Sequence, residues 1–162
     1  MNKYFFLFAL VFCQLANADS IDTSTAEQSL LLPITNGSPA SYQQIFSVCS
    51  DIPPSKTADV RFQVEVTNPY TFNVGIGWGI KASDYNGSTL LRTFWVTPLV
   101  MQNVTPSVHH MVIQNSYLHT VGYPTGGSTR CYALVLWAAA SSGTGNIQVE
   151  RGYGYLQVGV RD

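Results

Sequence analysis

The chain has 162 residues, 8 Lys and Arg, 9 Asp and Glu, and a net charge of −1, with only 10% of it charged. It carries no basic cluster, so nucleic acid and anionic membrane surfaces, which both need one, are not expected partners. A surface of Ser, Thr, Asn, Gln, Gly and Tyr suits hydrogen bonding to neutral polar ligands, or self-association.

The chain opens with MNKYFFLFALVFCQLANA. Lys3, an apolar run from Tyr4 to Cys13 and the small-x-small ending Ala16-Asn17-Ala18 form the three-part layout of a secretory signal peptide over residues 1–18, cleaved after Ala18. The apolar run is too short for a helix that needs ~20 residues to cross a bilayer. A lipoprotein reading would lipidate Cys13, but the bulky Phe12 precedes it. No later stretch reads as a membrane span or a lipid-anchor tail. The expected location is secreted or extracellular, or periplasmic in a bacterium.

Residues 19–44 read as a partly irregular N-terminal segment, with one or two helical turns over STAEQSLLL. Residues 45–162 read as a single β-sandwich domain. Cys49 and Cys131 remain after cleavage. An even pair in an oxidising compartment predicts one disulfide, and two buried free thiols are the rival reading. The closed loop would exceed eighty residues and contribute about 4–5 kcal/mol in the chain-entropy account. Three Asn-x-Ser/Thr sequons start at Asn36, Asn86 and Asn103. They predict exposed loop positions and a glycoprotein if the host glycosylates.

VRFQVEV alternates Val60, Phe62, Val64 and Val66 with Arg61, Gln63 and Glu65, a half-buried strand. Asn68-Pro69 turns the chain. FNVGIGWGIK then puts Phe72, Val74, Ile76, Trp78 and Ile80 on one face. Asn73, Gly75, Gly77, Gly79 and Lys81 fall on the other. The bare face admits two explanations: another body approaches it closely, or bulky neighbouring side chains fill it. Asn86-Gly87 signals a hairpin into TLLRTFWV. SVHHMVI and YLHTV, flanking Gln114-Asn115-Ser116, read as a second hairpin. CYALVLWA, a continuous apolar run, reads as a strand buried on both faces. NIQVE and YGYLQVGV read as closing strands. The whole is expected to be all-β, an antiparallel sandwich of jelly-roll type with one disulfide. A Cys49–Cys131 bond would staple an early strand to a late one, as Greek-key topologies allow.

His109, His110 and His119 are all the histidines of the chain. A metal site needs at least three converging ligands. Adjacent strand residues His109 and His110 point to opposite faces, so with His119 across a hairpin only two imidazoles converge. The triplet His109-His110-Met111 resembles the His-His-Met of the copper-dependent peptide-amidating monooxygenases, which are also β-sandwich proteins. That three-residue resemblance implies copper as the metal to expect there. The family's His-x-His and further histidine have no counterpart here, so no monooxygenase activity follows.

No Gly-x-Ser-x-Gly elbow and no Cys-x-x-Cys occurs. The interior carboxylates are Glu65, Asp84 and Glu150, and the two glutamates sit at outward strand positions, a poor pair for glycoside hydrolysis. Enzymatic activity is therefore not the leading expectation. Tyrosine offers a ring for stacking and a hydroxyl for hydrogen bonding. Tyr117, Tyr123, Tyr153, Tyr155 and Asn115 are the candidate ligand contacts. The sequence thus reads as a secreted binding or structural module, lectin-like or self-associating, without a cofactor. Its partner would be an extracellular glycan, a protein or a second copy. A copper-binding protein and an oligomeric toxin-like module are the alternatives.

Overall fold

Alternation of period two carries most of the described residues into strands. The computed structural model describes residues 21–26, 29–36, 42–51, 56–107, 111–120, 122 and 127–161. The expected signal peptide, His109, His110 and Tyr123 lie outside the described residues, as does the side chain of Tyr153.

Among the described residues ten strands follow in order: β1 (Ile21–Ser24), β2 (Leu30–Asn36), β3 (Gln43–Ser50), β4 (Thr57–Thr67), β5 (Val74–Asn86), β6 (Thr89–Trp95), β7 (Val100–Val104), β8 (Met111–His119), β9 (Thr129–Ala140) and β10 (Asn146–Arg161). They form two packed sheets. In the first, β8 pairs β4 and β4 pairs β10, whose far side takes β1 along one half and β2 along the other. In the second, β6 and β7 share one side of β5, β5 pairs β9, and the far side of β9 takes β3 and the end of β2. These pairings are antiparallel except β2 with β9.

β2 belongs to both sheets. Leu30 to Pro33 pair with β10, and Ile34 to Asn36 pair with β9. The change falls at Pro33, which has no N–H to offer a ladder. The next amide, Ile34 N–H, donates to Gly145 O at 2.8 Å. The sandwich is thereby closed along one side by a single crossing strand. The helical turns expected over STAEQSLLL are replaced at Leu30 onward by this strand, and β1 and β2 draw much of residues 19–44 into the sheets.

The inward faces interdigitate. Val60, Phe62, Val64 and Val66 of β4 and Leu156 and Val158 of β10 meet Ile76, Trp78 and Ile80 of β5 and Leu134 and Leu136 of β9, all buried. Phe62 and Trp78 pack with ring centroids 5.0 Å apart. Each such side chain contributes roughly 1.5–3 kcal/mol by leaving water. Cys49 and Cys131 stand opposite one another on β3 and β9 and form the expected disulfide, so it staples neighbouring strands within one sheet.

The β5–β6 hairpin forms as expected, with Gly87-Ser88 as its two loop residues. Gly87 takes φ 57°, a left-handed value that glycine adopts without steric cost. The second expected hairpin does not form: Met111 to His119 is one strand, and Gln114, Asn115 and Ser116 lie in register with Gln63, Phe62 and Arg61. NIQVE and YGYLQVGV are likewise one strand, slipping in register between Glu150 and Tyr155.

Candidate functional site

Among the described residues, polar and aromatic side chains gather at one end of the sandwich and on its two outer faces, among other places.

At the end bounded by the β5–β6 hairpin, period two aims Asp84 inward, in line with Ile76, Trp78, Ile80 and Ala82. A charge at a position patterned for burial needs partners. That parity was the one signal in the sequence for this cluster, which sequence reasoning otherwise missed. Asp84 is fully buried. Arg130 of β9 binds it through Nε–Oδ1 at 2.5 Å and Nη2–Oδ2 at 3.0 Å, and Arg92 of β6 through Nε–Oδ2 at 2.6 Å. Both guanidiniums also donate to Gly122 O, at 2.7 Å from Arg92 and 3.1 Å from Arg130. The Phe94 ring lies beneath them, 4.8 and 5.4 Å from their central carbons. Burial alone would push the Asp84 carboxyl up, but the hydrogen bonds from Arg130 and Arg92, and their charges, outweigh it and hold the group below the usual carboxylate range. Asp84 therefore stays an anion clasped by two cations, with no proton to give at neutral pH.

His119 belongs to the same end. It points inward from β8, is buried, and shares a 2.9 Å hydrogen bond between Nδ1 and Tyr132 Oη. Burial first, and the Arg130 charge next, depress its pKa from 6.5 to about 4. The imidazole is neutral at pH 7. Because β8 is one strand of nine residues, at ~3.3 Å per residue Met111 and His119 stand ~26 Å apart. The fold-back that would have brought His119 toward the His109-His110-Met111 triplet is absent. Among the described residues, no three His, Cys, Asp or Glu side chains group as metal ligands.

The outer face of the β9–β5–β6/β7 sheet is apolar. The bare stripe of β5 is roofed by its neighbours: Trp137 lies over Gly77, Trp95 and Leu99 over Gly79, and Met101 over Gly75. The filled-face explanation is the one observed. Tyr42 meets Trp95 and Trp137 edge-on at 5.4 and 5.1 Å. Lys81 Nζ sits 4.6 Å from the Trp95 ring centre and 5.3 Å from that of Tyr42, a cation held against ring faces. Trp137 is buried, but Trp95 (39%), Leu99 (43%) and Met101 (56%) remain exposed.

The outer face of the β8–β4–β10 sheet is mostly polar, with Val112 and Leu118 of β8 exposed among its charges. Asp59 is clasped by Arg61 and Arg161. Ser29 Oγ donates to Glu150 Oε2 at 2.5 Å, and Glu65 faces Glu150 across the strands. Of the expected ligand contacts that are described, Tyr117 and Tyr155 point to opposite sides of the sheet. Tyr117 turns inward against Trp78, its ring centre 6.0 Å away, and burial pushes its phenol up. Tyr155 lies on the outer face, where with residues near Asn115 it lines a shallow basin. Asn36, Asn86 and Asn103 are all exposed. No helix among the described residues is long and apolar enough to cross a membrane.

No protein-family model matches the chain, and no curated protein sequence matches it. Solved structures match its fold. The structure of infectious bursal disease virus strain Gt superposes with TM-score 0.58 at 12% identity, over 90% of this chain and 34% of that one. The Gx strain gives 0.57 at 13% identity, over 88% and 33%. A crystal structure of the T13 particle of the same virus gives 0.50 at 11% identity, over 90% and 36%. This chain thus spans about a third of the length of the chains it matches. The protein is an all-β, jelly-roll-like sandwich with one disulfide.

Proposed function

We propose that this protein is an exported structural module that associates with copies of itself through the outer face of the β9–β5–β6/β7 sheet. The carrying observation is the contrast between the two outer faces. One is built around ion pairs and amides, with Leu31, Val112 and Leu118 scattered among them, while the other gathers Trp95, Leu99 and Met101 in water around a lysine sandwiched by rings. Contiguous exposed apolar area rimmed by polar groups marks an interaction surface, and aromatic anchors supply most of the energy of such contacts. The fold matched in a viral particle is in keeping with that reading. Export is supported by the residue 1–18 pattern and by the disulfide, which persists in oxidising compartments.

Size-exclusion chromatography with light scattering across micromolar to millimolar concentration tests it. The expected result is concentration-dependent assembly. Trp95→Ala should weaken it about 30-fold, the loss of ~2 kcal/mol typical of an aromatic hot spot. Leu118→Lys, at an exposed apolar residue of the other sheet, should leave assembly intact. A monomer at every concentration would remove the proposal.

A further inference from the structure

The polar face carries a built depression of about 330 Å³, lined by Arg61, Phe62, Gln114, Asn115, Ser116 and Tyr155. Strand register assembles it. β4 sets Arg61 beside Ser116 of β8 on one side and beside Gln157 of β10 on the other. Tyr155 arrives beside Gln63 because β10 spends the residues from Glu150 to Tyr155 against only Glu65 to Gln63 of β4. Such irregularities re-aim side chains and recur next to binding sites.

The lining has a defined chemistry. Arg61 places both Nε (3.1 Å) and Nη2 (2.6 Å) on Asp59 Oδ2, which fixes the guanidinium plane and leaves Nη1 unclaimed by that carboxylate. Asp59 also binds Arg161, so one anion is shared by two cations and positive charge is left over. The Asn115 side chain turns back, its Oδ1 accepting the Ser116 amide at 2.8 Å. Around one cation on this face stand the Gln114 carboxamide, the Ser116 hydroxyl and the Tyr155 phenol, while Phe62 and Asn115, at the alternate positions of β4 and β8, border the basin. The volume is at the small end of ligand sites, suited to one or two sugar rings. A single guanidinium is too little for a nucleic acid or a polyanion. It does suit one carboxylate, which it binds by a charge-assisted hydrogen bond. Amides and hydroxyls, donors and acceptors both, suit the hydroxyls of a sugar ring, and the tyrosine ring offers a surface for its C–H face.

We infer that this basin binds a carboxylate-bearing saccharide unit, such as a uronic acid. The inference is independent of self-association, which uses the opposite face.

The test is a backbone-amide NMR titration of the purified protein with glucuronate, glucose and acetate at constant ionic strength. Glucuronate is expected to shift the amides of Gln114, Ser116 and Tyr155 and to saturate at least tenfold below glucose. Arg61→Gln should erase that preference and retain the weak response to glucose. Tyr155→Ala should weaken both sugars, with each variant's spectrum unchanged away from the basin. Absent or scattered shifts, equal response to glucose, or an unaltered preference in Arg61→Gln would overturn the inference. Acetate saturating at the same concentration as glucuronate would overturn the saccharide assignment.

Discussion

Gly77→Ala probes the roofed face most directly. A Cβ built on Gly77 would lie 1.8, 1.9 and 2.4 Å from Cε2, Cζ2 and Cδ2 of Trp137, against ~3.5–4.0 Å for carbon atoms in contact. The backbone cannot yield, because β5 is hydrogen-bonded to β7 on one side of this residue and to β9 on the other. The indole must therefore lift by nearly 2 Å. Lifting re-exposes part of a ring that buries roughly 150–250 Å². Half of that, at ~25 cal/mol per Å², is about 2–3 kcal/mol. Loss of the edge contact with Tyr42 adds ~0.5–1.5 kcal/mol, and the stiffer unfolded chain returns ~0.4–1 kcal/mol. The net expectation is a destabilisation of about 2–3 kcal/mol, read by urea unfolding followed through tryptophan fluorescence. Gly79→Ala meets Trp95 at 2.8 Å, but that ring is exposed and can swing into water, so the cost should stay below ~1 kcal/mol. Trp137→Leu should cost less in the Gly77→Ala background than alone, as neighbours in contact are non-additive. A Gly77→Ala protein as stable as the parent would refute the reasoning.

Three further outcomes are expected. Asp84→Ala leaves Arg130 buried without its carboxylate and should cost about 3–5 kcal/mol in chemical denaturation, whereas Asp84→Leu with Arg130→Met should recover most of it. His119 binds its proton more weakly folded (about 4) than at its ordinary 6.5. The unfolded chain therefore takes up the proton first, and stability falls as pH drops from 6.5 toward 4, by up to about 3 kcal/mol. His119→Gln should flatten that limb, while the depressed Asp84 carboxyl extends the loss to lower pH. A urea midpoint unchanged between pH 7 and 4.5 would contradict this. Reduction of Cys49–Cys131 should lower stability by at most about 4–5 kcal/mol, seen as a reductant-dependent shift in thermal midpoint.

The strands legible in the sequence are those with one buried face and one wet or bare face. β4 and β5 alternate without exception over their central residues, and β9 reads as doubly buried because Trp137 and Val135 are covered from outside. β8 misled because Gln114-Asn115-Ser116 has turn chemistry. An edge strand that, among the described strands, pairs with β4 alone tolerates those residues, since all three are exposed there. β2 escaped notice for a different reason. Its pattern changes meaning at Pro33, where it leaves one sheet for the other, so no single period describes it. The basin was half legible: Asn115 and Tyr155 could be named as candidates, but Arg61 and Gln114 look like ordinary outward strand residues until register brings them to one face, diagonal to each other across β4 and β8. The exposed Trp95 and Leu99 gave no warning either, because a strand pattern does not say which of two faces the core will claim.

The cystine has a mechanical consequence. Cys49 and Cys131 are 82 positions apart in the chain yet adjacent in space, so tension entering through β1 and β10 is handed directly from one sulfur to the other. Only the segments outside that pair can be drawn out. About 280 Å of contour, at ~3.4 Å per residue, stays locked in β4 through β8 however hard the ends are pulled. A layer built of such units would stretch a short way and then stiffen.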